Sequence, residues 1–161
     1  MRKRIMMAVT LGGLLLLAGQ TFSTPQSTAK PTLAGSWELT FEPIPSSTTE
    51  PAFVGLVTFT SDGSAVETDT EEVALRATPA HGIWQPGPVF GHWYIRFTSL
   101  VANSNGTLHS KRITTITGTL NSTGAAFIGD YSIETVDPSG HALATVSGAV
   151  TGQLMVHPAL P

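Results

Sequence analysis

The chain has 161 residues, a formal net charge of −3 and no cysteine. That length suits one domain with a core of its own, and the lack of thiols excludes a disulfide framework, thiolate catalysis and thiolate metal sites. Acids outnumber bases 11 to 8, so nucleic acid and anionic membranes, which are held through clustered Lys and Arg, are not expected partners.

At the N-terminus Arg2, Lys3 and Arg4 precede an apolar run from Ile5 to Ala18. This is the pattern of a secretory signal peptide over residues 1–23, with cleavage after Ser23 or Ala29. The run is shorter than the roughly 20 residues of a spanning helix, so the mature chain is not expected to insert in a membrane. Loss of Arg2, Lys3 and Arg4 takes the formal charge to −6, and the expected location is periplasmic or extracellular. Residues 24–32 are rich in Ser, Thr and Pro and read as a flexible tether before a domain over 33–157.

The domain opens with Trp37, Leu39 and Phe41 alternating with Ser36, Glu38 and Thr40, the period of a half-buried strand. Pro43, Pro45 and Pro51 then bracket a loop. Gly55 to Thr60 and Ala65 to Asp69 form a hairpin around Asp62-Gly63. From Thr70 to Pro79 the pattern allows a short helical turn or an acidic loop. Gly82 to Gln85 is a short strand before Pro86-Gly87-Pro88, and three long strands follow over Phe90–Val101, Thr107–Leu120 and Ala125–Val136. Leu143 to Val156 completes eight strands. Consecutive hairpins with short turns predict an all-β fold, a single eight-stranded antiparallel up-and-down barrel rather than a sandwich.

Turn type fixes register, and register fixes which face is buried. A three-residue turn at Ser104-Asn105-Gly106 pairs Asn103 with Thr107 and sets Phe97 opposite Ile113, Ile95 opposite Thr115 and Trp93 opposite Thr117. The same treatment of Ser122-Thr123-Gly124 pairs Asn121 with Ala125 and sets Ile113 opposite Ile133, Thr115 opposite Tyr131 and Thr119 opposite Phe127. The interior then holds Trp93, Ile95, Phe97, Ile113, Phe127, Tyr131 and Ile133, with Thr115, Thr117 and Thr119 among them. Arg112 falls outside, opposite Glu134, and His92, Tyr94 and Arg96 form an outer stripe. In the last hairpin a four-residue loop from Asp137 to Gly140 turns Val146 and Val150 inward.

Chemistry-bearing motifs are sparse. His81, His92, His109, His141 and His157 have no metal-ligand spacing, and no metal or other cofactor is expected. No serine lies in a nucleophile-elbow sequence, so no catalytic residue is assigned. Glu67, Asp69, Glu71 and Glu72 lack the spacing of a calcium loop and read as a solvated acidic stretch. The threonine row has two readings: strand propensity alone, or hydrogen-bonding groups lining a cavity among aromatics.

Gly35-Ser36-Trp37 at the start of the first strand resembles the Gly-x-Trp of the calycins, the lipocalins and avidin-like barrels, and the overall pattern is closest to lipocalin-like domains of small exported bacterial proteins. The resemblance implies that Gly35 and Trp37 build a barrel floor. It also implies a small apolar or amphipathic ligand, for which Trp84, Trp93, Phe97, Thr115, Thr117 and Tyr131 are the candidate contacts. The chain has no Lys or Arg after Arg112, so the basic residue that packs over the tryptophan in lipocalins is missing. Two alternatives stand beside this reading. One is a cavity-based isomerase or cyclase like the allene-oxide-cyclase barrels, with Tyr131 as the acid. The other is an interaction module using His92, Tyr94 and Arg96.

Overall fold

The computed structural model describes residues 32–44 and 51–156. The expected signal peptide, nearly all of the tether, the stretch 45–50 and His157 lie outside the described residues. The elements in chain order are β1 (Gly35–Pro43), β2 (Phe53–Phe59), β3 (Ser64–Asp69), α1 (Glu72–Leu75), β4 (Ala80–Pro86), β5 (His92–Ala102), β6 (Leu108–Leu120), β7 (Ala126–Val136) and β8 (Ala142–Leu154). Each strand pairs antiparallel with its sequence neighbours, and β8 returns to β1. The result is one closed up-and-down barrel of eight strands.

Closure is set by alternation on β1. Trp37, Leu39 and Phe41 are almost wholly buried, and they stand opposite Val57, Gly55 and Phe53 on one side. On the other side Leu39 and Phe41 face Gly152 and Val150 of β8. Because side chains alternate along a strand, the residues between them look outward, and Glu38 is exposed. The stretch after β3 forms a short helix, α1, closed by Arg76 in the left-handed conformation at φ 55°.

The face of β6 differs from the one expected. The Asn103–Thr107 pairing holds, with Asn103 N–H donating to the Thr107 carbonyl at 2.8 Å and Gly106 at φ 82° in the turn. Two residues on, the ladder slips: Ala102 pairs with Leu108 but Val101 pairs with Ser110, leaving His109 as a bulge. At the other end of β6, Asn121 N–H donates to Ala126 rather than pairing with Ala125. The Asn121 side chain explains the longer loop, since its Oδ1 accepts from both Ala125 N–H at 3.0 Å and Ala126 N–H at 3.2 Å.

Both slips move β6 by one residue in the same sense. Phe97 therefore opposes Thr114, Ile95 opposes Ile116, and Tyr131 opposes Ile116 from the other side. Arg112, Thr114, Ile116, Gly118 and Leu120 point inward, whereas Ile113, Thr115, Thr117 and Thr119 point outward. The expected faces of β5 and β7 hold, with Trp93, Ile95, Phe97, Phe127, Tyr131 and Ile133 inside. Arg112 is not an outer partner of Glu134, because Glu134 opposes Ile113 instead.

In the last hairpin the loop has three residues, not four: Asp137 N–H donates to His141 O at 2.9 Å. Val146 and Val150 still face inward, because a second bulge at Leu143 lets Val136 pair with Ala142 and Thr135 with Ala144.

The flipped face is testable by truncation. Ile116 is 0% exposed, so Ile116→Ala is expected to cost about 2–5 kcal/mol, while Ile113→Ala on the outer wall costs under about 1 kcal/mol. Urea unfolding of the two variants measures both, and the reverse order would restore the register without the bulge.

Candidate functional site

Side chains fill the middle of the barrel. Phe41 and Phe53 stack at 4.6 Å, and Tyr131 meets them edge-on at 5.1 and 6.2 Å. A second set runs toward the Trp37 end: Phe97 against Phe59 at 6.3 Å, Phe59 against Trp84 at 6.2 Å, and Trp84 against Trp93 at 5.0 Å. An eight-stranded barrel is just wide enough for its own side chains to occupy, and here large aromatic rings do so. Functional space therefore lies at the ends and on the outer wall.

The Trp37 end is held by the first residues of the domain. Trp37 Nε1–H donates to the Leu33 carbonyl at 2.8 Å, and both residues are buried. Of the expected ligand contacts, Trp84, Trp93 and Phe97 face inward toward this end and Tyr131 lies in the other aromatic set. Thr115 and Thr117 do not join them. The His109 bulge places both on the outer wall, exposed. The stripe of His92, Tyr94 and Arg96 is on the outside as expected. Next to it, His92, Thr117, Thr119, Ile128 and Asp130 rim a shallow depression of about 400 Å³ over Gly118 and Gly129.

The opposite end carries the polar chemistry. Arg112, brought inside by the bulge, donates from Nη2 to Glu71 Oε2 at 2.8 Å and lies 3.8 Å from Asp69 Oδ2. The side chains of Arg112 and Asp69 are only 11% and 10% exposed, which makes this pairing much drier than a surface ion pair. Glu71 N–H donates to Asp69 Oδ1 at 2.8 Å, and Asp69 N–H donates to Glu72 Oε1 at 3.3 Å. The acids therefore fasten the start of α1 to the end of β3. Behind α1, Thr78 N–H donates to Leu100 O at 2.9 Å and Ala77 bridges to Val101, which fixes the segment to β5.

Glu67 is not part of a solvated stretch. It projects inward from β3 and is 7% exposed, with Gly55 leaving room for its carboxyl beside Phe41. Burial pushes its pKa up to about 8, and the neighbouring acids Asp69, Glu72 and Glu71 add to the rise against the opposing Arg112 charge. At neutral pH this carboxyl keeps its proton.

Between α1 and the strand ends a cleft of about 240 Å³ opens, lined by Leu75, Val101, Ser110, Arg112, Ile133 and Val146 among others. Its chemistry is mixed: an apolar wall, the buried Ser110 hydroxyl, and the Arg112–Glu71 pair. Sequence reasoning missed Ser110 and Arg112 because their inward aim depends on the bulge. The available signal was the Lys111-Arg112 pair on an otherwise uncharged Thr- and Ile-rich stretch, with four acids clustered between Glu67 and Glu72.

Protonation of Glu67 links stability to pH. The folded chain holds this proton up to about pH 8, and the unfolded chain releases it near the ordinary value of 4.5. Its contribution is therefore fully present below 4.5 and is lost as pH rises to about 8. At about 1.4 kcal/mol per pH unit, the total is at most roughly 5 kcal/mol. Asp62 and Asp137 are held below the usual carboxylate value, chiefly by the Thr60 hydroxyl and the His141 N–H respectively, so they titrate below this window. Urea unfolding between pH 5 and 8 is expected to show falling stability, and Glu67→Gln to flatten the curve and exceed the parent at pH 8. A flat parent curve would contradict the assignment.

No family model, curated protein or solved structure matches the chain.

Proposed function

We propose that this protein is an exported, lipocalin-like barrel that binds a small amphipathic molecule at the end opposite Trp37. The observation that carries the reading is the cleft of about 240 Å³ between α1 and the inward residues of β5 to β8. Its apolar wall of Leu75, Val101, Ile133 and Val146 takes the ligand's apolar part. Ser110, His109 and the Arg112–Glu71 pair meet the polar head. The basic leader and apolar run support export, and a closed eight-stranded barrel with Trp37 near one end supports the calycin-like relation.

Two physical limits narrow the ligand. Drug-sized sites enclose about 300–1,000 Å³, so this cleft suits a smaller molecule or part of a chain. Asp69, Glu71 and Glu72 outnumber the single Arg112 cation, which is already paired, so a neutral or cationic head is favoured over an anionic one. Tyr131 is packed against Phe41 and Phe53 rather than along the cleft, so the geometry lends no support to a cyclase with Tyr131 as its acid.

Calorimetric titration with decylamine, decanol and decanoate below their aggregation limits tests the proposal. Saturable binding of the amine and the alcohol is expected, with decanoate at least about tenfold weaker. Ala144 lines the cleft and is exposed, so Ala144→Phe fills the space without disturbing the core and is expected to abolish binding at an unchanged unfolding midpoint. Absence of saturable binding, or binding indifferent to Ala144→Phe, would overturn it.

A further inference from the structure

We infer that Asn105 is a self-modification site: the Gly106 backbone nitrogen closes on the Asn105 side-chain amide, expels ammonia and leaves aspartate or isoaspartate in the β5–β6 turn. This chemistry is independent of any ligand in the cleft under α1.

The reacting atoms are brought together by the chain itself, since the Gly106 nitrogen and Asn105 Cγ are members of one succinimide ring once they join. The side chain of the following residue is what normally obstructs this closure, and position 106 has none. Of the three asparagines, Asn103, Asn105 and Asn121, only Asn105 precedes a glycine. The surroundings are open: Asn105 is exposed, and a Cβ at Gly106 would have no neighbour within 4 Å. Hydroxide and water therefore reach the amide freely.

Ring closure places negative charge on Asn105 Oδ1, and donors already aimed at that oxygen lower the barrier. Two are in place. Thr107 Oγ1–H donates to Asn105 Oδ1 at 2.7 Å, and Thr107 N–H donates to the same oxygen at 3.1 Å. Asn103 Nδ2–H donates in turn to Thr107 Oγ1 at 2.9 Å, which polarises the hydroxyl toward Asn105. The opposing contact is Gly106 N–H, which donates to the Asn103 carbonyl at 3.0 Å. Its proton has to be drawn off by hydroxide, so the rate climbs with pH.

Two other turns hold part of this arrangement. Asn121 Oδ1 accepts from Thr123 Oγ1–H at 3.0 Å and from the Ala125 and Ala126 N–H groups, but Ser122 brings a side chain beside the attacking nitrogen. Asp62 precedes Gly63, and its Oδ1 accepts from the Thr60 hydroxyl and Ser64 N–H. The Thr60 hydroxyl, however, holds the Asp62 carboxyl below the usual carboxylate value, and a carboxylate resists attack.

The step balances with hydroxide and water alone. Hydroxide takes the Gly106 N–H proton, the nitrogen bonds to Cγ, and the Cγ–Nδ2 bond breaks as Nδ2 leaves with a proton from water as ammonia. Water then opens the succinimide, at Cγ to give aspartate or at the Asn105 main-chain carbonyl to give isoaspartate. Either product adds one carboxylate. Isoaspartate also adds a methylene to the backbone of the turn that pairs Asn103 with Thr107 and leads into the His109 bulge.

Incubation of the chain at pH 7 and pH 9, folded and in concentrated urea, followed by anion exchange and peptide mass spectrometry, tests the inference. The expected result is a more acidic isoform modified at Asn105, formed faster at pH 9, while Asn103 and Asn121 keep their amides. Thr107→Val is expected to slow the folded chain at least about threefold, and Thr107→Ser, which keeps the hydroxyl, to restore the rate. In urea the parent and both variants are expected to react alike. The isolated isoaspartate form is expected to unfold at a lower urea concentration than the parent. An Asn105 that keeps its amide would overturn the inference, as would a folded Thr107→Val chain that reacts at the parent rate.

Discussion

Between Val101 and Ala102 of β5 and their partners on β6 the ladder holds one residue more than it can pair, and the orientation of a whole strand hangs on that residue, His109. With it unpaired, Ile116 and Leu120 enter the core and Arg112 enters the barrel end. With it paired, the strand's outer row of Ile113, Thr115, Thr117 and Thr119 would face inward, since a slip of one residue exchanges the two faces of a strand. Glu71 and Asp69 would then lose the cation that compensates them in a mostly dry setting. The share of the core that β6 supplies, and the cation at the polar end, thus depend on this bulge together with the longer loop after Asn121.

The electrostatics of that end follow from where charge is tolerated. Arg112 is paired with Glu71 and lies near Asp69, so the two acids nearest it have a partner. Glu67, one inward position deeper along β3, forms no ion pair with Arg112 and instead avoids the cost of a buried charge by keeping its proton. Neutralisation deep inside and pairing at the rim are the two ordinary solutions to a buried acid, and they stand here two residues apart on one strand.

A filled interior leaves the open space at the ends and on the outer wall. Large rings from β1, β2, β4, β5 and β7 occupy the middle, and the paired glycines Gly118 and Gly129 let β6 and β7 press inward, because a Cβ on either would overlap backbone of the neighbouring strand. The open places among the described residues include the cleft under α1, the cleft under the β4–β5 turn and depressions on the outer wall. The two end clefts differ in character, one bordered by an ion pair and the other by prolines and Trp93.

Much of the fold was legible in the order of residues. The alternation in Trp37–Phe41, the turn residues at Asp62-Gly63 and Asn105-Gly106, and the apolar rows of β5 and β7 are local properties, written in adjacent positions and read without knowing the partner strand. They determined eight antiparallel strands, their order, and which side chains of β1, β5 and β7 are buried. The face of β6 was not determined in this way. Its sequence carries isoleucine and threonine on both faces, so periodicity is silent there, and the bulge at His109 and the four-residue loop after Asn121 are settled by how β6 meets both neighbours at once. The tertiary structure therefore decided what local pattern left degenerate: Thr115 and Thr117 outside, Arg112 inside against Glu71, and Glu67 buried with its proton. The physical reason is that register is a property of pairs of strands in a closed sheet, and only closure fixes it.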